Sequence, residues 1–303
     1  MMQMLKPIRR LARAARKYEL TWRYAYNLVP TLSHQRKDAP LTGEAARILR
    51  DLNRDGIAIS SVDALLGPDS PYPELLKAVK RLESEKVTEI ETARASAADE
   101  SAIGKKTFLL EYLGRNPAFD PGSVYARLAV RTPLLRIANA YLGMYTRLRY
   151  YNIWHTFATQ SKPRESQLWH RDREDLYILK VFIYLKDVDL GAGPFTYAPG
   201  THRKGAVRQE PAHFLEGRVK RTEDEQMAAV VPRDRWRIAN GAAGTIIFAD
   251  TNGYHRGGLA RTADRVMYTC MYTSRASESE EFFVRSIQPP PSNGDAESFA
   301  LNH

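Results

Sequence analysis

At Arg147 the hydrophobic pattern of the chain changes its period. Upstream, apolar residues recur at helical spacing, as in Ala45, Ala46, Leu49 and Leu52 or in Leu75, Leu76, Val79 and Leu82. Downstream they alternate, and β-branched and aromatic residues crowd into short runs at 147–158, 167–172, 176–187, 194–198, 244–249 and 265–274. Turn signals such as Gly191-Ala-Gly-Pro194 and Pro199-Gly200 separate these runs. Many short strands without a helix between each pair argue against a doubly wound parallel sheet and for an antiparallel sandwich or barrel. The first half supplies helices. One is opened by Pro40 and Thr42 and ended by Gly56, a second covers 72–84, and a third covers 128–142, interrupted near Pro133 and ended by Gly143. Ile57 to Ile59 reads as a first strand, whereas 85–120 shows no clear period.

The 303 residues suffice for a hydrophobic core that needs no cross-links. A single cysteine, Cys270, excludes an intramolecular disulfide and a zinc site built on several thiolates. No apolar run reaches the ~18 residues of a spanning helix, and the Arg-rich N-terminus lacks a secretory core, so a cytoplasmic protein is expected. The net charge of +10 is concentrated, because residues 1–50 carry eleven Lys/Arg against three Asp/Glu. Wound as a helix from Pro7, this segment sets Ile8, Leu11, Ala15, Tyr18, Trp22, Tyr26 and Val29 opposite Arg9, Arg10, Arg13, Arg16 and Lys17. Such a face packs on its own domain, or lies peripherally on an anionic membrane through residues 1–30, with nucleic-acid contact the least favoured use. The expected organisation is a basic amphipathic extension (1–40), a β domain (41–285) and a mobile Pro-rich tail (286–303). Within the domain, the charged excursion 201–238 is expected to act as a lid or substrate loop.

Trp169-His-Arg-Asp172 carries the chemistry. On an extended backbone His170 and Asp172 project to the same side. A third ligand must come from elsewhere, and the downstream histidines are His202, His213, His255 and His303. His255 stands out because a brief turn, Asp250 to Tyr254, delivers it from the end of the apolar strand Thr245 to Ala249. A His, a carboxylate two residues on and a distant His form the facial set that holds non-haem Fe(II) with three positions open. An isolated HxD triplet is a weak signal. Arg265 strengthens it, since an arginine entering the apolar strand Val266 to Tyr272 is costly unless it meets an anion. Its planar fork suits the far carboxylate of an iron-chelated 2-oxoglutarate. Arg261, on the preceding turn, is the alternative clamp, and a structural ion pair is the competing use of Arg265. Lys180 shares an inward face with Phe182 and Tyr184, so it meets either 2-oxoglutarate, an anionic substrate, or a carboxylate in a buried salt bridge. His202 reads as a loop-fixing residue, His155 as a core or rim histidine, and Cys270 as inert packing.

Taken together, the residues resemble the phytanoyl-CoA dioxygenase superfamily of Fe(II)- and 2-oxoglutarate-dependent oxygenases. The resemblance rests on Trp169-His-Arg-Asp172, on Tyr184-Leu-Lys-Asp-Val188 with Gly193-Pro-Phe and Ala198-Pro-Gly-Thr-His202, and on Gly244-Thr-Ile-Ile-Phe-Ala-Asp250 with His255-Arg-Gly-Gly258 and Arg265. It spans about residues 41–275. It implies a mainly β fold with flanking helices, a double-stranded β-helix of the jelly-roll, cupin-like kind. It also implies His170, Asp172 and His255 as iron ligands, Arg265 as the 2-oxoglutarate clamp, and dioxygen as the other co-substrate. The family often sets its clamp one residue further from the second His, which keeps Arg261 open. The implied reaction is oxidative decarboxylation of 2-oxoglutarate coupled to hydroxylation of a small molecule. Related halogenases replace the carboxylate by a small residue, so Asp172 favours hydroxylation. Arg203, Lys204 and Arg208, placed near the expected mouth, tilt the substrate toward an anionic or lipid-linked compound. Two rivals stand beside this reading. One is a cupin-type enzyme without 2-oxoglutarate, which has no need of Arg265; the other is a silent barrel that binds membrane or nucleic acid through its basic N-terminus.

Overall fold

The computed structural model describes residues 15–99, 106–214, 220–277, 283–285 and 296–301. Strands are numbered β1 (Ile57–Ser61), β2 (Leu109–Glu111), β3 (Ala118–Phe119), β4 (Arg147–Thr156), β5 (Leu179–Tyr184), β6 (Thr196–Tyr197), β7 (Arg237–Ile238), β8 (Thr245–Asp250), β9 (His255–Arg256), β10 (Arg265–Thr273) and β11 (Val284–Arg285). Six of them form one antiparallel sheet in the order β1-β8-β5-β10-β4-β2. A smaller antiparallel sheet, β7-β6-β9, faces it. Between the sheets lie Phe182, Tyr184, Ile247, Ala249 and Met267 of the large sheet and Phe195 and Tyr197 of the small one. Their sequence neighbours Val181, Ile183, Ile246, Phe248, Val266 and Tyr268 point the other way and pack on helices. Strict alternation thus divides one set of strands between two cores. The two facing antiparallel sheets make a double-stranded β-helix, with more helix around it than a mainly β chain implies.

The outer core is built by the Gly43–Asp55 and Thr132–Leu142 helices, which bury Ile48 and Leu52 and, from the second, Leu134, Ile137 and Ala138. The first ends at Gly56 with φ 81°, and its amide donates to the Leu52 carbonyl. A Cβ at Gly56 would strike the Tyr197 hydroxyl and the His202 ring, so only glycine both reverses the chain and lets β1 start against β8. The Tyr72–Glu85 and Val87–Ala97 helices follow, the second of them in the stretch that shows no clear period in the sequence.

Two expectations about the chain ends are corrected. The basic segment is not one continuous helix: Glu19–Thr21 runs into a π-helical turn, Trp22–Tyr26, and then into Leu28–Lys37. The wider turn changes the phase of the residues beyond it, and Val29 is turned out to 61 % exposure while Tyr18 stands 70 % exposed. Trp22 is buried instead, donating its indole N–H to Asp175 at 2.7 Å. Ile8, Leu11, Arg9, Arg10 and Arg13 lie outside the described residues. The tail expected to be mobile contains a short helix, Ala296–Leu301, that buries Ala300 and Leu301 and sets Phe299 against Tyr145. The Pro-rich part, 286–295, lies outside the described residues. No described helix is long and apolar enough to cross a membrane.

Candidate active site

His170 lies in an extended stretch whose backbone pairs with β9. The amide of His170 donates to the His255 carbonyl and the amide of His255 to the His170 carbonyl, both at 3.0 Å. The two histidines therefore face each other on one rung, and their rings stand 4.3 Å apart. Asp172, two residues on, projects to the same side, with Oδ2 3.8 Å from Nε2 of His255. One ligand atom from each of the three residues lies within 4.8 Å of the other two.

The histidines are tautomerically prepared. Nδ1 of His170 sits 2.8 Å from the Leu168 carbonyl and Nδ1 of His255 3.0 Å from the Gly253 carbonyl. A carbonyl only accepts, so each Nδ1 carries the proton and each Nε2 offers its lone pair to the centre. Burial lowers the pKa of both rings, and for His170 the neighbouring His255 adds to it. They are neutral imidazoles, the state that binds metal. Burial alone would raise Asp172, but the Lys180 ammonium hydrogen-bonded to it holds it well below the carboxylate range. These are the donors that suit a divalent transition metal such as iron.

Lys180 lies on β5, and its ammonium is 2.6 Å from Asp172 Oδ2, the salt-bridge alternative of the sequence reading. Burial would lower it, yet Asp172 overrides that and raises it. Arg265 begins β10 on the inner face, 3 % exposed. Among the described residues it makes no ion pair; one Nη contacts the Thr156 hydroxyl at 3.4 Å, while Nε and the other Nη find no partner there. Burial depresses its pKa, partly offset by Tyr184. A guanidinium buried without a counter-anion is costly, and this one opens onto the same cavity, of about 80 Å³, as His170, Asp172, Lys180 and His255. Arg261 is committed elsewhere, donating to the Thr159 and Ser161 carbonyls at 2.9 Å.

Neighbouring residues hold this arrangement. Asp264 points outward as Arg265 points inward; it accepts from the Ala158 amide and lies 2.7 Å from His155 Nε2, whose Nδ1 is 2.7 Å from the Tyr112 hydroxyl. His155 is thus a satisfied core histidine. His202 is buried against the Asn53 carbonyl, at 3.3 Å, and away from the ligand cluster. The Gly193 and Gly258 backbones cross so closely that a Cβ at Gly258 would overlap the Pro194 carbonyl. This crossing seats β9 beside β6 in the small sheet.

The described part of the 201–238 excursion packs behind the site. Trp169 points away from His170, and Phe214, Met227, Val231 and Trp236 pack around it, with the Trp169 indole donating to Asp224. The described part of the excursion therefore props the His170 strand from behind and lines neither cavity at the site. Arg203, Lys204 and Arg208 border a separate depression beside Tyr177 and are not at the mouth. The mouth is an outer vestibule of about 730 Å³, walled by Lys106, Glu111, Tyr150, Trp154 and Glu174. Lys106 and Glu111 escaped the sequence reading because β2 is only three residues long and leaves no periodic trace. Cys270 is buried on the outer face, as expected of inert packing.

A facial two-histidine, one-carboxylate set inside a double-stranded β-helix defines the class of non-haem iron oxygenases. The model of the phytanoyl-CoA dioxygenase (PhyH) family matches residues 74–267, and the chain belongs to that family of Fe(II)- and 2-oxoglutarate-dependent oxygenases. Among solved structures, EctD from S. alaskensis with bound Fe is similar at 19 % identity and TM-score 0.54, over 83 % of each chain. EctD with 2-oxoglutarate and 5-hydroxyectoine is similar at 20 % identity and TM-score 0.54, over 84 % of this chain and 83 % of that one. AviO1 from Streptomyces viridochromogenes gives 18 % identity and TM-score 0.49, over 80 % of this chain and all of the other. No curated protein matches by sequence.

Proposed function

We propose that the protein hydroxylates a small molecule at an unactivated C–H bond, with His170, Asp172 and His255 as the iron ligands. The observation that carries the reading is the convergence of three candidate ligand atoms within 4.8 Å beside a buried guanidinium that meets no anion among the described residues. Iron, when bound, supplies the redox chemistry that couples decarboxylation of 2-oxoglutarate by dioxygen to oxygen insertion into the substrate. The chain supplies placement. The Leu168 and Gly253 carbonyls fix which ring nitrogens face the metal. Lys180 keeps Asp172 ionised and oriented, and its remaining N–H groups face the cavity where the co-substrate would lie. Arg265 takes the far carboxylate through Nε and Nη1, the atoms left without a partner. Phe182, Phe195 and Met267 line the same cavity and exclude water from it.

The test is succinate released from 2-oxoglutarate by protein reconstituted with Fe(II) and ascorbate. Turnover, even without substrate, is expected in the parent and lost in His170→Ala together with stoichiometric iron binding. No turnover in the parent, with iron binding unchanged in His170→Ala, would falsify the assignment.

A further inference from the structure

β2 is the edge strand of the large sheet, and its register on β4 sets Glu111 opposite Trp154 and Leu109 opposite Thr156. Trp154 and Thr156 face inward, so β2 carries Leu109 and Glu111 onto the same face and extends the barrel wall outward around the vestibule. Lys106 precedes this strand and lines both the vestibule and the inner cavity. Neither Lys106 nor Glu111 forms an ion pair with any described residue, including each other. The indole N–H of Trp154 is directed at Glu111 without reaching full hydrogen-bond geometry. Lys106 stands at the solvent-exposed rim of the vestibule and Glu111 is half-buried, its carboxyl pushed up by burial.

Opposite charges that line one cavity without pairing among the described residues are open to the counter-charges of a ligand. Asp172 and Lys180 neutralise each other, and Glu89 is paired with Lys86. That leaves Glu111 and Glu174 against Lys106 and Arg115, a balanced wall. An anion alone would match the cations and leave the carboxylates unmatched, and a cation alone would do the reverse. Between the two signs, Tyr150 and Trp154 stack at 6.1 Å and 16° to form an apolar surface.

We propose that the substrate is a small zwitterion, its anionic group met by Lys106 nearer the metal, its cationic group by Glu111 further out, and its body laid on Tyr150 and Trp154. This rests on the oxygenase reading above. The vestibule has the size of a small-molecule site.

The experiment measures succinate release by the Fe(II)-loaded full chain with a panel of free α-, β-, γ- and δ-amino acids of four to eight carbons. Each is matched by its N-acetyl form, which is anionic only, and its methyl ester, which is cationic only. At least one free amino acid is expected to raise the rate about tenfold above the substrate-free rate, with neither capped form doing so. Lys106→Met and Glu111→Gln should each raise KM for that compound at least tenfold, with KM for 2-oxoglutarate unchanged. In Glu111→Gln the N-acetyl form should gain on the free one. The proposal is overturned if capped forms stimulate as well as free ones, if no panel member stimulates a chain that does turn over 2-oxoglutarate, or if Lys106→Met raises KM for 2-oxoglutarate instead. Absence of any 2-oxoglutarate turnover is a different result and defeats the oxygenase reading itself.

Discussion

The Arg265 side chain is poised by what it lacks. A buried guanidinium normally finds a carboxylate, yet here Thr156 is the only described contact and two nitrogens stay open. Arg265→Leu is expected to raise KM for 2-oxoglutarate about 100-fold, from loss of a bidentate charge-assisted contact, and Arg265→Lys to recover only part of it. Steady-state kinetics in 2-oxoglutarate separates the two variants, and an unchanged KM in both would reassign the residue to structure. At the proposed metal ligands, His255→Ala should abolish stoichiometric Fe(II) retention on equilibrium dialysis, because the ring it deletes is one of three neutral or anionic donors within 4.8 Å of one another. Unaltered iron stoichiometry would remove His255 from the ligand set.

At the scale of elements, the small sheet is held where its connections cross. Gly258 has φ 60° and its Cα passes against the Pro194 carbonyl, so Gly258→Ala must displace the β9 connection that carries His255. Iron affinity should fall at least tenfold along with a lower melting temperature, whereas a normal affinity would show that β9 tolerates the shift. The helices and long strands were legible in the sequence because each has a full period: Gly43–Asp55 with its Gly56 cap, Thr132–Leu142 with Gly143, and the alternating β5, β8 and β10. The pairing of the proposed ligands His170 and Asp172 was legible for the same reason, since alternation alone brings them to one side. The vestibule was not, because β2 owes its place to pairing with β4 and not to its own composition. The packing of the excursion after Thr201 was hidden for a related cause: its charge advertises solvent, while Phe214, Met227 and Val231 are spaced too irregularly to announce the core they build around Trp169.

For the whole molecule, two buried carboxylates of the outer layer set the response to acid and to truncation. Asp250, at the end of β8, is fully buried and accepts from the Tyr141 hydroxyl at 2.6 Å; burial pushes its pKa up to about 6. Its protonated form is therefore favoured in the fold, so its contribution is complete below about pH 4 and is lost as pH rises through about 6. Asp250→Asn keeps an acceptor for Tyr141 and should gain on the parent by on the order of 2 kcal/mol between pH 4 and 7 in urea melts; a constant difference across that range would refute the shift. Asp175 ties the N-terminal segment to the barrel through the Trp22 indole and also accepts from the Ser274 amide. Trp22→Ala should cost about 3–5 kcal/mol, read as a fall in the urea midpoint, although Trp22 is remote in sequence from every proposed ligand. The basic segment thus belongs to the fold from Trp22 onward, whatever surface its exposed Tyr18 and Leu20 meet. A last consequence follows from the reciprocal amide bonds of His170 and His255. Because main chain and not side-chain packing sets how far apart these imidazoles stand, the bowl above them is free to be refurnished, by drift or by design, for quite different guests while the grip underneath keeps its gauge.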